Sequence, residues 1–159
     1  MTLRVGLGFD VHRFSDDPQR PLILAGIAFP GEPGLVGHSD ADLVSHACTD
    51  AILGASGLGD IGTFFPDDDE SLAGANSLDL LAEAVGRVAE AGFQVINVDC
   101  VIVAEKPKIN PRRLEMQARL SQVVGASVTV KASRAEGLGA IGRVEGMACW
   151  ATALVASSS

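Results

Sequence analysis

Two hydrophobic periodicities alternate along this chain, and that alternation constrains its fold more than any other feature. Leu3 to Val11 reads as a strand, with glycines that let the backbone pack closely, and Pro21 to Ala28 is a second, more buried run. Pro30 to Gly37 is rich in Gly and Pro and reads as a turn. A helix is expected from near Ser39 to about Ala55, its entrance marked by Ser39 and Asp42 in a pattern close to a capping box. Leu78 to Ala91 has helical spacing, with Leu81, Ala84, Val85 and Val88 on one side and Gly92 at its end. Val95 to Ala104 is a β-branched strand, broken at Glu105–Lys108. Pro111 to Val124 is a helix with proline in its first turn, and Val128 to Ala132 is a short strand. Val144 to Val155 reads as a strand, although its alanines leave a helix open. Strands alternating with helices predict an α/β (α+β) layer fold with helices packed on one face of a sheet. Gly57 to Gly74 lacks periodicity and is long for a connector, and Gly137 to Gly142 is a Gly-rich loop.

The 159 residues suit one compact domain, expected over residues 1–157, with Ser158 and Ser159 as a frayed tail. A share of 47% apolar and 20% charged residues is that of a globular protein, and no stretch is apolar and long enough to span a bilayer. Met1 to Asp10 meets charge too soon for a signal peptide, so a cytoplasmic location is expected. A net charge of −8 with scattered basic residues disfavours nucleic acid and anionic membrane as partners. Such a protein handles a phosphate only with local positive charge from metals, Lys, Arg or helix N-termini. Cys48, Cys100 and Cys149 are far apart and odd in number, and they read as small buried hydrophobes in a reducing compartment.

All three histidines lie between positions 12 and 46. On a strand, Asp10 and His12 share a face and form a two-point metal clamp. His46 lies on the first expected helix, one face of which also carries Asp42 and Asp50. If that face packs at the end of the first strand, Asp10, His12 and His46 make a three-ligand site. Two imidazoles and a carboxylate suit Zn²⁺ and leave a fourth position open for water or substrate. Asp42 is a candidate to orient an imidazole from behind. The competing reading has the histidines satisfying core hydrogen bonds, and the spacing by itself would serve many hydrolases. At the helix entrance, His38 and Ser39 suit an anion, or equally a plain cap and a loop residue. The carboxylates of 60–62 and 65–69 suit either a solvated acidic loop or a lid that binds hydroxyl groups. Lys106, Lys108, Lys131 and Arg134 form a sparse positive group, and Glu136 beside them is a hard oxygen ligand suited to Mg²⁺.

Taken together, GFDVHRF, GHSDADLVSHACTDAILGA and GLGDIGTFFPDDD closely resemble the 2-C-methyl-D-erythritol 2,4-cyclodiphosphate synthase family of the non-mevalonate isoprenoid pathway. RVEGMA resembles that family's Gly-Arg-Gly-Glu-Gly segment, and the likeness covers nearly the whole chain. It implies a four-stranded mixed sheet with helices on one face, and a homotrimer built around the sheets with active sites between subunits. The implied reaction is a lyase step. The 2-phosphate of 4-diphosphocytidyl-2-C-methyl-D-erythritol 2-phosphate attacks its own β-phosphate, CMP leaves, and the cyclic diphosphate forms.

The resemblance also distributes roles. Asp10, His12 and His46 match the ligands of one Zn²⁺ per subunit, and Asp10 and His12 border the substrate. His38 matches a residue that stabilises the transition state, and Ser39 another substrate contact. Asp60, Ile61 and Gly62, with Phe65, Pro66, Asp67, Asp68 and Asp69, match the loop that holds the erythritol part. Ala104, Glu105, Lys106, Pro107, Lys108, Ile109 and Asn110 match a cytidine pocket. Glu136 matches a ligand of a Mg²⁺ or Mn²⁺ that bridges the diphosphate, with Ser133, Arg134, Ala135 and Arg143 near the phosphates. Catalysis of this kind needs no side-chain nucleophile, only a folded substrate and neutralised charge.

The chain departs from the family pattern at one telling place. The usual Lys-Ala-Thr-Thr-Thr-Glu is here Lys131-Ala-Ser-Arg-Ala-Glu136, so Arg134 replaces a phosphate-binding threonine expected to assist catalysis. Arg can bind phosphate bidentately, and Ser133 offers a hydroxyl next door. Ala140 stands where the family has an aromatic residue near a central trimer channel. The alternatives are a catalytically altered paralogue that binds nucleotide or isoprenoid diphosphate, and a phosphoesterase using zinc-activated water. A purely structural zinc protein fits poorly, because structural sites are closed by four protein ligands.

Overall fold

The computed structural model describes residues 1–157, so the expected tail at 158–159 lies outside the described residues. Strand β1 (Thr2–Arg13) is followed by a hairpin of two short strands, β2 (Ile23–Leu24) and β3 (Ile27–Ala28). Then come helices α1 (Leu43–Ser56), α2 (Ile61–Phe64) and α3 (Ser77–Glu90), strand β4 (Phe93–Val103) and helix α4 (Arg113–Val124). Strand β5 (Ser127–Ser133), the one-turn helix α5 (Gly139–Gly142) and strand β6 (Gly146–Ser157) complete the order. The main sheet runs β1-β6-β4-β5, antiparallel except for the parallel β4–β5 pair.

Period-2 patterning decides which face of the sheet is covered. Gly6, Gly8, Val98, Cys100, Ile102, Val128, Val130, Cys149, Ala151, Ala153 and Val155 are buried toward the helices. Gly6 and Gly8 let α1 lie directly on β1. A Cβ added at Gly8 would stand 1.9 Å from the Ala47 carbonyl oxygen, and one at Gly6 2.0 Å from that of Ala51. The opposite face is uncovered. Leu3, Val5, Leu7, Phe9 and Val11 are 45–69% exposed there, and Phe9 packs against Trp150 with ring centroids 4.8 Å apart. All three cysteines are free and buried, in keeping with their reading as small hydrophobes.

Three local expectations need correction. The first helix begins at Leu43 rather than near Ser39, because Asp42 is its N-cap and accepts from the amides of Val44 and Ser45. Residues 57–74, read as a long connector without periodicity, contain α2 and a 3-10 turn at Glu70–Leu72, capped by Asp60 and Asp69. The Gly-rich stretch 137–142 winds into α5, and the helical option for 144–155 falls away because β6 pairs along its length with β1 and β4.

Sheet register sets where function gathers. Asp10 lies opposite Cys149, Cys149 opposite Ile102, and Ile102 opposite Ala132. The ends of β1 and β5 are therefore level with each other, at opposite edges of the sheet.

Candidate functional site

Asp10 and His12 sit on the helix-covered side of β1, and the close approach of α1 brings His46 beside them. His12 Nε2 is 2.9 Å and His46 Nδ1 3.0 Å from Asp10 Oδ2. These are the donor atoms of the one three-residue metal-ligating group found among the described residues, all within 4.8 Å of one another. Tetrahedral donors around Zn²⁺ stand roughly 3.4 Å apart, so this set needs only a small expansion to take an ion. His12 Nδ1–H donates to the Val36 carbonyl at 2.6 Å, which leaves Nε2 as the ligating nitrogen. His46 Nε2 lies 2.8 Å from Ser77 Oγ and 3.2 Å from Ser39 Oγ. Burial alone would raise the Asp10 carboxyl, but hydrogen bonds from both imidazoles and their charge hold it at about 2. Burial would lower His12, and the Asp10 carboxylate reverses this and raises it. The chemistry of the donors thus fits a divalent cation, which both imidazoles and the carboxylate would share.

Above these donors is a cavity of about 230 Å³, bordered by His38, Ser39, Asp50, Ile61, Gly62, Phe65 and Asp67. Its walls are held by side chains acting on backbone. Arg20 donates to the carbonyls of Leu35, Gly37 (2.9 Å) and Ser39 (2.8 Å), fixing the segment that presents His38. His38 Nε2–H donates to the Asp69 carbonyl at 3.0 Å, and Gly74 N–H donates to the His38 carbonyl. Asp50 accepts from Ile61 N–H at 2.7 Å, and burial raises its carboxyl against that bond. Pro66, Asp68 and Asp69 lie in the same loop but do not line the cavity.

A second cavity, about 570 Å³, lies at the opposite edge of the sheet. It is bordered by Ala104 to Pro111 with Ala132, Ser133 and Arg134. Lys106–Pro107 is a cis peptide. Arg134 Nη2 and Nε are 2.7 and 3.0 Å from Glu105 Oε2, and the Gly137 amide reaches Glu105 Oε1 at 3.3 Å. The Glu105 side chain is 7% exposed while that of Arg134 is 69% exposed, so the acid is the seated partner and the guanidinium faces outward. Arg134 holds the Glu105 carboxyl below the usual range.

The chain therefore brings together Asp10, His12, His38, Ser39, His46, Ile61, Gly62, Phe65 and Asp67 at one cavity, and the 104–110 segment with Ser133 and Arg134 at another. Ala135, Glu136 and Arg143 border neither. Glu136 is exposed with φ of 55°, and Arg143 pairs with Glu145 at 2.6 Å. Asp42, expected behind an imidazole, is wholly buried and faces the other way, accepting from Ala25 and Gly26 N–H and from Ser45. The sequence reading missed Arg20 and Ser77. A lone arginine and a helix-start serine carry no signal until the loops they hold are in place.

A family model described as the YgbB family matches residues 3–156. The chain belongs to the YgbB family. Among curated YgbB-like relatives, the 2-C-methyl-D-erythritol 2,4-cyclodiphosphate synthase of Symbiobacterium thermophilum is 51% identical over 155 residues, covering 96% of this chain and 98% of that protein. Among solved structures, the bifunctional IspDF of Campylobacter jejuni superposes with a TM-score of 0.93 at 42% identity, covering 99% of this chain and 43% of that longer one. The IspF of Plasmodium falciparum in complex with CDP gives 0.85 at 31% identity, covering 99% of this chain and 97% of that one. This YgbB-family chain is thus an enzyme, with curated relatives at about half identity that carry the synthase name.

Proposed function

We propose that this chain is a metal-dependent 2-C-methyl-D-erythritol 2,4-cyclodiphosphate synthase, which releases CMP from 4-diphosphocytidyl-2-C-methyl-D-erythritol 2-phosphate. The observation that carries the reading is the convergence of His12 Nε2 and His46 Nδ1 on Asp10 Oδ2 at the floor of a cavity closed by the 60–67 segment. It joins a family match whose relatives are named for this product. When bound between these three residues, Zn²⁺ would polarise the β-phosphate and offset its charge. The chain's own residues do the rest. His38, in the segment whose carbonyls Arg20 holds, is assigned the donor to phosphate oxygens as charge shifts, which requires its Nε2–H to leave the Asp69 carbonyl. Ser39 borders the same cavity, and Ile61, Gly62, Phe65 and Asp67 enclose the methylerythritol, with Asp60 and Pro66 to Asp69 shaping that loop. The 104–110 segment offers backbone groups to cytosine. Glu136 is assigned to a Mg²⁺ or Mn²⁺ on the diphosphate, with Ala135 and Arg143 alongside.

One molecule of substrate has to meet both cavities, yet three strand spacings, roughly 14 Å, separate the sheet edges that carry them. A neighbouring subunit that brings its nucleotide edge to this metal edge resolves the geometry. The uncovered apolar face of β1 supports the same conclusion, since second and third copies would bury it in a homotrimer. No helix among the described residues is long and apolar enough to cross a membrane. We assign the enzyme to the cytoplasm.

The test is a CMP-release assay in ¹⁸O-labelled water, with metal content measured on the same preparations. Wild type should release CMP and incorporate no label into the phosphates, and His46→Ala should lose both zinc and turnover. Labelled phosphate would instead establish a hydrolase, and equal zinc in both proteins would remove the proposed metal site. The altered-paralogue reading draws on the Glu105–Arg134 pair, which takes two N–H groups of the guanidinium. Absent turnover in wild type, restored by Arg134→Thr, would favour it.

A further inference from the structure

We infer that Asp40 and Ser77 form a relay that holds the Nε2–H of His46 and so turns its Nδ1 to the ligand position, making both positioning residues for the metal centre. The inference rests on the metal reading above and adds residues that reading does not use. Ser77 is the first residue of α3 and is wholly buried. Its Oγ has three polar neighbours: Asp40 Oδ1, His46 Nε2 at 2.8 Å, and Ser39 Oγ at 3.4 Å. Asp40 is anchored by accepting from Ser77 N–H at 3.1 Å through Oδ2 and from Asp42 N–H at 3.0 Å through Oδ1. A carboxylate can only accept, so the single hydroxyl proton of Ser77 points to Asp40. The lone pairs of Ser77 Oγ then face His46 Nε2, which must be the N–H donor. Nδ1 then faces Asp10 Oδ2 at 3.0 Å, where a bound cation would take the place of the proton between them. His12 reaches the same condition by another route, through the Val36 carbonyl. Two imidazoles are thus turned toward one point by two different backings, a carbonyl and a carboxylate-backed hydroxyl.

The relay spans three parts of the chain. Asp40 N–H also donates to the Ala75 carbonyl at 3.2 Å, so the segment entering α1 and the start of α3 are locked around His46. Ser39 Oγ, 3.2 Å from His46 Nε2, is a further acceptor there, but no carboxylate directs its proton. Loss of the Ser77 hydroxyl should therefore weaken the hold on Nε2–H without abolishing it.

The experiment uses the full chain, with zinc alone as probe. Zinc affinity is read by chelator competition for wild type, Ser77→Ala and Asp40→Asn. Nitrogen–proton NMR of the metal-free and zinc-loaded proteins reads the His46 Nε2–H. The expected results are a hydrogen-bonded Nε2–H in wild type, a weaker and faster-exchanging one in Ser77→Ala, and zinc affinity about 10-fold weaker or more in the variants, the usual range for lost ligand support. A wild-type His46 without a proton on Nε2 would overturn the relay, as would unchanged zinc affinity and Nε2–H signal in folded Ser77→Ala. A wild type that takes up no zinc defeats the metal reading, and the Nε2–H measurement, which needs no zinc, still decides the relay.

Discussion

Arg134 shows how a single residue changes an expectation once its neighbours are known. Against the family pattern it looks like a charge put in the place of a hydroxyl, aimed at phosphate. In the fold two of its N–H groups go to Glu105, and Glu105 also accepts from the Gly137 amide, so the pair ties the 104–110 segment to the turn before α5. A guanidinium has five donors, and three stay available to a phosphate. Arg134→Thr should therefore lower the affinity for CDP about 10-fold while leaving that for cytidine within 2-fold, a comparison titration calorimetry can make; a charge-assisted hydrogen bond of roughly 1.5–3 kcal/mol accounts for the size. Equal losses for both ligands would mean that Arg134 only props the pocket open. Asp42 teaches the converse. It stands four residues before His46, yet its oxygens go to the amides of Ala25, Gly26, Val44 and Ser45 and never reach an imidazole.

At the scale of elements, the decisive contact is α1 on β1. It depends on two glycines, because no side chain fits between Gly8 and the Ala47 carbonyl or between Gly6 and that of Ala51. The same approach puts His46 within reach of Asp10, so packing and chemistry share one requirement. Gly8→Ala should force α1 outward, cost about 3 kcal/mol as overpacking does, and weaken zinc binding in step. Gly54, also on α1, has open space around its missing Cβ. Gly54→Ala should instead stabilise the helix by up to about 1 kcal/mol with zinc affinity unchanged. Denaturant midpoints and chelator competition on the two variants check both halves, and parallel behaviour would detach the metal site from this contact.

The whole molecule is one-sided. Its core lies between the sheet and the helices, while Leu3, Val5, Leu7, Phe9 and Trp150 face outward from the other side. Replacing Val5 and Leu7 together by Lys leaves the core untouched and charges the uncovered face. The double variant should sediment as a monomer, keep its zinc, and lose at least 100-fold in CMP release. A trimer of unchanged activity would show that this face is not the subunit contact, and an active monomer would show that one chain completes the site.

What the sequence determined by itself was whatever depends on local periodicity and motif. The order of strands and helices follows from patterning, and the pairing of Asp10 with His12 follows from strand alternation. The family follows from GFDVHRF and the block around His46, and the YgbB match supports it. Only the tertiary structure decided what depends on residues far apart in the chain. Ser77 meets His46 across 31 positions, and Arg20 holds the carbonyl of Ser39 across 19. Neither contact leaves a trace in spacing, because a hydrogen bond between segments is set by how α1, α3 and the 35–39 loop dock. The capping of α1 by Asp42 instead of Ser39 was decided in the same way. Ser39, Asp40 and Asp42 are all cap-competent, and the buried amides of Ala25 and Gly26, which need an acceptor, selected Asp42.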